Sequence, residues 1–306
     1  MLKLGIIGLS EGNGHPYSWS AIINGDYNAK VMADCGYPVI PQYLAANRDT
    51  LGIDDARVTH VWTQDSCISR NIAAAGKIEH VAERIEDLIG QVDAVILARD
   101  DAENHVKMAK PFLDADVPIF IDKPLVITND DLDFFSAQDS AGKFFMSCSS
   151  FRYAAENAAV KKEKAALGKL ELATVVGKKD WFKYGVHMLE ALFALLDDPQ
   201  PVSVKHISKS HKDIVYIEFQ TGLVATVHLF YEIAPTFQIS LYGQTGWRHI
   251  EYLNWYAMFR SNLVEFISSV RQGKPRLGFE KTKNIIRTLI AARESLDGAG
   301  KTIALK

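Results

Sequence analysis

Through the first 150 residues, short apolar runs alternate with segments of helical spacing, and this alternation constrains the fold more than any other feature of the chain. Leu4, Ile6 and Ile7 open the series and run through Gly8 into a loop of small and polar residues, Ser10-Glu11-Gly12-Asn13-Gly14-His15-Pro16. Further strands are expected at 58–63, 93–98, 117–121 and 144–146, with helices at 67–75, 81–89, 102–113 and 130–140. Near-continuous apolar runs belong to strands buried on both faces, and helices between them supply the crossovers of a parallel sheet. The expectation is a doubly wound α/β domain over residues 1–149.

One segment resists the pattern. If 29–33 were the second strand, Asp34 would be the acidic ribose ligand of a dinucleotide fold. Pro38 and Pro41 then break the helix that should follow. The preferred reading makes 58–63 the second strand and 31–55 an insertion.

After about residue 150 strand-like segments follow one another directly, at 172–176, 202–207, 214–219, 223–230 and 237–242, with Thr221-Gly222 and Gly243 at turns. One helix, 181–196, interrupts them. This predicts a second domain, 150–306, with a mostly antiparallel open sheet and two C-terminal helices, 256–270 and 280–296, packed on one side.

Composition narrows the function classes. A chain of 306 residues with 48% hydrophobic and 23% charged residues suits two ordinary domains. With 34 Lys+Arg against 37 Asp+Glu there is no basic block to follow a phosphate backbone, so no nucleic-acid partner is expected. Cys35, Cys67 and Cys148 form no CxxC pair, so neither a disulfide framework nor a cysteine zinc site is expected. The opening apolar run is too short for a signal or membrane segment; a cytoplasmic protein without membrane contact is the expectation.

Three segments carry candidate chemistry. Gly8, Gly12 and Gly14, with Ser10 and Asn13, form a glycine-bearing strand-to-helix loop, where backbone N–H groups suit a pyrophosphate; a plain turn is the bland alternative. Ile121-Asp122-Lys123-Pro124-Leu125 places a lysine at the carboxyl end of a buried strand, the edge where open α/β sheets bind ligands, with His105 on the preceding helix. Lys183-Tyr184-Gly185-Val186-His187-Met188-Leu189-Glu190, if helical, sets Lys183, His187 and Glu190 on one face, and Gly185 leaves room for a ligand. An amphipathic helix with an incidental histidine is its alternative. His187-x-x-Glu190 lacks a third metal ligand, so no metal is expected.

Together these segments resemble the Gfo/Idh/MocA family of NAD(P)-dependent oxidoreductases. Lys123-Pro124 stands where the family has Glu-Lys-Pro, and Gly185-Val186-His187 where it has Gly-x-His. The resemblance implies a Rossmann domain, an α/β domain whose open sheet forms a homodimer or homotetramer interface, and an active site between them acting on sugars, cyclitols or acidic sugar derivatives. It assigns catalysis to Lys123 and His187, and Lys183, just before that histidine, joins them as this chain's own catalytic candidate. Gly8, Ser10, Gly12, Asn13, Thr63, Asp65, Arg99, His105, Lys123 and Pro124 fall to the cofactor, NAD or NADP. Lys123, Lys183, His187, Glu190, Arg152 and Tyr153 fall to the substrate.

Two departures from the family follow. Lys183 stands where many members carry an aspartate, which would favour a neutral Lys123 and an anionic substrate group. Thr63-Gln64-Asp65 replaces the usual ribose acid; Asp65 or Asp34 would serve NAD and Arg70 would serve NADP, with NAD preferred. A redox-neutral, cofactor-assisted lyase and a non-catalytic nucleotide binder are the alternatives. His15 is considered as a phosphate contact beside its reading as turn chemistry. Trp181, Trp247 and Trp255 are read as core or interface rather than pocket.

Overall fold

The computed structural model describes residues 1–208 and 211–305. Two compact units emerge. The first comprises Met1–Val126, Asp130–Cys148 and Phe259–Gly278, and the second Ile127–Asn129, Ser149–Met258 and Phe279–Lys306.

In the first unit the expected alternation is realised as β1 (Leu2–Ile7), α1 (His15–Asn24), α2 (Ala29–Ala33), α3 (Val39–Ala46), β2 (Ala56–Trp62), α4 (Ser66–Gly76), β3 (His80–Val81), β4 (Ala94–Leu97), α5 (His105–Asp114), β5 (Ile119–Ile121), α6 (Asn129–Ser140) and β6 (Phe145–Ser147). The six strands pair in parallel in the order β3-β2-β1-β4-β5-β6. β4 and β5 are buried along their whole length, as continuous apolar runs require.

The preferred second strand stands as β2, with 31–55 inserted before it, and the structure adds three details. The segment 31–55 is helical, because Pro38 serves as the N-cap of α3 and Pro41 falls in its first turn, where no backbone N–H has an intrahelical partner to lose. Ala29–Ala33 is likewise a helix, so Asp34 is its exposed C-cap and not a strand-tip ribose ligand. The helix expected at 81–89 is instead β3 and a 3-10 turn, Ile85–Leu88. A stretch that short gains little as an isolated helix, whereas Val81 pairs with Val61 of β2.

In the second unit α7 (Ala155–Glu163) precedes β7 (Leu170–Lys178). A π turn, Trp181–Gly185, leads into α8 (Val186–Leu195). β8 (Pro201–Ser208), β9 (Lys212–Phe219), β10 (Val224–Phe230), β11 (Phe237–Gly243) and β12 (Trp247–Glu251) follow, then α9 (Trp255–Gln272), α10 (Phe279–Asp297) and β13 (Ile303–Ala304). The sheet order is β12-β11-β7-β10-β9-β8-β13, antiparallel except where β10 runs parallel to β7. Its buried face, with Ala173, Val175, Val227 and Ile239, packs into one core with Leu189, Phe193 and Leu289.

The two C-terminal helices do not both cover this sheet. From Phe259 onward α9 belongs to the first unit, where Phe266 meets Phe120 and Phe259 meets Trp19.

Candidate functional site

In the first unit the strand order reverses between β1 and β4. Crossovers leave those neighbours in opposite directions, so a crevice opens at their carboxyl ends. The loops after β1, β4 and β5 are tied together there by two carboxylates. Asp100, after β4, accepts a hydrogen bond from Ser10 Oγ (2.6 Å) and pairs with Lys123 Nζ (3.3 Å). Buried Asp122, after β5, accepts from Asn13 Nδ2 (2.9 Å) and Lys123 N (2.8 Å) and pairs with His15 Nδ1 (2.6 Å). Burial alone would raise the Asp100 carboxyl; the Lys123 ammonium, the Ser10 hydroxyl and nearby His15 outweigh it and hold it below the usual carboxylate range. The partner of the Lys123 amine is thus a carboxylate.

His15 is held on several sides. Its ring stacks on Trp19 at 4.2 Å and 13°, and Phe259 meets its edge at 5.2 Å. Asp122 is a pure acceptor, so the hydrogen-bond pattern assigns the proton on this side to Nδ1.

The three loop glycines serve different needs. A Cβ on Gly8 would lie 2.5 Å from Pro16 Cγ, and one on Gly14 would lie 2.6 Å from Ile40 Cδ1 and 2.7 Å from Tyr37 Cγ. Those two allow close packing of α1 and of the inserted helices. Gly12, at φ +77° with nothing within 4 Å of its would-be Cβ, is the open turn. Above it, Gln64 Nε2 donates to Leu9 O (2.7 Å) while its Oε1 accepts from Leu9 N (3.0 Å) and Arg99 (2.8 Å). Arg99 also grips Asp101 through Nε (2.9 Å). It therefore braces the loops after β1, β2 and β4.

At the tip of β2, Asp65 N-caps α4 and accepts from Cys67 N (2.7 Å), and buried Thr63 donates to Asp65 O (2.6 Å). Arg70 turns back to Cys67 Sγ (3.1 Å). His105, expected to touch the cofactor, is fully buried with its ring nitrogens on Leu125 O (2.8 Å) and Arg99 O (2.9 Å). It latches the loops after β4 and β5 and has no surface to offer a ligand. Pro124 follows in the same buried segment. A cleft of about 350 Å³ borders Trp62 at the end of β2, with Arg84, Lys107 and Met108 among its walls.

In the second unit His187 sits in the first turn of α8, its Nδ1 2.6 Å from Ser149 Oγ. The helical face proposed for Lys183, His187 and Glu190 is not realised. The π turn breaks the spacing, leaving Lys183 exposed, while Glu190 is buried. The room at Gly185 is taken by the Trp181 ring, 2.9 Å from a would-be Cβ. Trp181 is core, as expected; its backbone N–H donates to Asp213 (3.1 Å), which also pairs with buried His206 (2.9 Å).

Glu190 and Arg152, expected at the substrate, form a buried ion pair (2.5 Å), and Arg152 also reaches Asp198 (2.8 Å). Burial pushes the Glu190 carboxyl up against the pull of Arg152 and of Ser149 N–H, whereas Arg152 and Lys281 hold Asp198 down despite its burial. These charges fix the frame around His187 and are spent inside it. Tyr153 is half-buried at the end of the 3-10 turn Ser150–Tyr153.

The structure thus groups Ser10, Asn13 and Lys123 in one unit, and Arg152, Glu190 and His187, through Ser149, in the other. Sequence reasoning did not commit to Asp100, Asp122 and Ser149. The signal for Asp100 was present, since Arg99-Asp100-Asp101 puts two acids directly after a central strand. Among the described residues no group of three or more His, Cys, Asp or Glu is placed to hold a metal, and no helix is long and apolar enough to cross a membrane.

Residues 3–143 match the model of the Gfo/Idh/MocA oxidoreductase family, NAD-binding Rossmann fold. None of the curated protein sequences matches the chain. Among solved structures, a probable dehydrogenase from Thermotoga maritima is similar at 15% identity and TM-score 0.79, covering 99% of this chain and 98% of that one. Myo-inositol dehydrogenase from Lactobacillus casei, solved with NAD(H) and myo-inositol, is similar at 14% identity and TM-score 0.79, covering 100% and 97%. Myo-inositol 2-dehydrogenase from Lactobacillus plantarum is similar at 14% identity and TM-score 0.79, covering 100% and 99%. At these identities the likeness concerns the fold.

Proposed function

We propose that the chain, whose residues 3–143 match the NAD-binding Rossmann model of the Gfo/Idh/MocA oxidoreductases, moves hydride between a nicotinamide dinucleotide and a carbinol or carbonyl carbon of a sugar- or cyclitol-like substrate. The observation that carries the reading is the Lys123 amine, paired with Asp100, which Ser10 in turn holds, at the point where the strand order reverses. The open turn at Gly12 fits a dinucleotide, whose diphosphate needs backbone unobstructed by a Cβ. Ser10, Gly12 and Asn13 would hold it.

When bound, the nicotinamide supplies the hydride acceptor or donor. The protein's own task is to place the substrate oxygen and manage its proton. Lys123 gives or takes that proton, and Asp100 keeps the amine oriented and ready to be recharged. Lys183, exposed on the turn before His187, would receive a substrate carboxylate, so Lys183→Met should raise KM for an acidic sugar more than for a neutral one.

NAD is the inferred cofactor. Arg70 is turned back into its own helix, and the cations Arg84 and Lys107 of the β2-tip cleft stand beside Glu83 and Glu86, which leaves no net charge for a 2′-phosphate. Fluorescence titration with NADH and NADPH, then turnover on a polyol, cyclitol and uronate panel, tests the reading. Failure to bind either nucleotide would sink it.

We infer a homo-oligomer from the sheet face opposite the second unit's core. Leu172, Tyr242 and Trp247 lie directly across from one another on β7, β11 and β12, exposed at 36%, 41% and 62%. Trp247→Glu should dissociate the assembly in light scattering.

A further inference from the structure

We propose that Gln64 is a positioning residue of the nucleotide site: its side-chain amide fixes Leu9, in the loop after β1, ahead of dinucleotide binding, and its loss weakens the cofactor's hold without altering the chemical step. Leu9 N–H donates to Gln64 Oε1 (3.0 Å), and Gln64 Nε2 donates back to Leu9 O (2.7 Å). One side chain thereby satisfies both backbone groups of one residue, as a paired strand would. The partners lie 55 residues apart in sequence, so the pairing ties the tip of β2 to the loop that leaves β1.

The residues on either side of Leu9 are held as well. Arg99 Nη1 donates to Gln64 Oε1 (2.8 Å) and to Gly8 O (3.4 Å), and Ser10 Oγ donates to Asp100 Oδ1 (2.6 Å). Arg99 is buried and fixed in its turn. Its Nε donates to Asp101 Oδ1 (2.9 Å), and Asn104 Nδ2 donates to Asp101 Oδ2 (2.7 Å). Burial alone would raise the Asp101 carboxyl; the bonds from Arg99 and Asn104 outweigh it and hold it below the usual carboxylate range. Gly8, Leu9 and Ser10 are each gripped from another loop, and Gln64 is the exposed member of the set, replaceable without opening the core.

Its neighbours at the β2 tip are also turned to protein partners. Thr63 Oγ1 donates to Asp65 O (2.6 Å), and Asp65 Oδ1 accepts from Cys67 N (2.7 Å). The strand tip where dinucleotide folds read the adenosine ribose here steadies the loop beside it. A loop ordered in advance has little backbone freedom left to lose when a ligand docks, so freeing Leu9 must appear as weaker binding. That consequence rests on the oxidoreductase reading; the hold on Leu9 does not.

Hydrogen exchange read by mass spectrometry on the peptide spanning 5–14, in nucleotide-free protein, tests the hold directly. Gln64→Met keeps the length of the side chain and removes its hydrogen bonds, so this peptide should exchange faster while the melting temperature stays within about 2 °C of wild type. Gln64→Asn keeps the amide but loses a methylene of reach and should behave like Gln64→Met. A wild-type exchange rate in either variant overturns the proposal. In fluorescence titration Gln64→Met should raise the Kd for NADH about tenfold, the order of cost of fixing one freed residue. In turnover the nucleotide KM should rise by the same factor, with kcat at saturation within about twofold. A tenfold loss of affinity with unchanged exchange would mean that Gln64 touches the nucleotide itself, and it rejects the positioning role. If the wild-type protein binds neither NADH nor NADPH, the oxidoreductase reading fails, and exchange still decides whether Gln64 holds the loop.

Discussion

Two partly buried histidines, one in each unit, differ in the group that faces Nδ1. His15 Nδ1 faces the carboxylate of Asp122, and His187 Nδ1 faces the hydroxyl of Ser149. The first unit aims its carboxylates, Asp100 and Asp122, at the groups that would do chemistry. The second unit spends Glu190 and Asp198 on Arg152, beneath the turn that carries Ser149. Charge tunes reactivity in one unit and rigidity in the other.

The largest test of this contrast removes the structural charge. Arg152→Met leaves Glu190 buried without its cation, and breaking a buried pair from one side costs about 3–5 kcal/mol. Denaturant melts should show that loss in the transition of the second unit. A change below about 1 kcal/mol would mean that the network does not carry the frame. The reactive charge should behave differently. Lys123→Met is expected to lower kcat by about 10²–10³-fold, the usual worth of a positioned proton donor, with little change in melting temperature. A variant that loses stability and keeps its rate would reverse the contrast.

How far these features were legible in the sequence depends on the range of the interactions behind them. Buried strands with Lys123 at a carboxyl end were readable, because apolar periodicity is local and the position of a residue after a strand follows from it. The inserted helices were not. Pro38 and Pro41 look like breakers until the helix start is known, since proline is harmless in a first turn and harmful two turns later. His105 and Glu190 were misplaced for another reason. A polar residue at helical spacing has the same signature whether it faces a ligand or a buried partner, and Leu125 O and Arg152 become visible only in three dimensions. Ser149 carries no local signal at all; its partner lies 38 residues away.

Smaller effects are expected at the two glycines that the sequence read as space for ligands. In each unit an aromatic ring fills that space, Tyr37 against Gly14 and Trp181 against Gly185. Gly14→Ala and Gly185→Ala should each cost about 1–3 kcal/mol by overpacking. The first should recover only in part in the double variant Gly14→Ala, Tyr37→Ala, because Ile40 Cδ1 still lies 2.6 Å from the new Cβ once the ring is gone. Cofactor affinity that falls in Gly14→Ala without loss of stability would return that glycine to the diphosphate.

The smallest difference lies in the acid limb of stability. Asp100 and Asp198 are held below the ordinary carboxylate value in the folded protein, so the stability they contribute is complete above about pH 4 and is lost as pH falls through their lowered values. Glu190 has the opposite sign. Its carboxyl is raised, so its contribution is fullest below the ordinary glutamate value and disappears as pH rises through the folded one. The units should therefore respond differently to acid: uncompensated loss from Asp100 in the first, and partial cancellation between Asp198 and Glu190 in the second. In calorimetric scans across the acid range, Asp100→Asn should flatten the fall in melting temperature, and Glu190→Gln should steepen it by removing the opposing group. A Glu190→Gln protein with a flatter acid limb would show that Arg152 keeps this carboxyl ionised, and that the second unit loses stability in acid by the same route as the first.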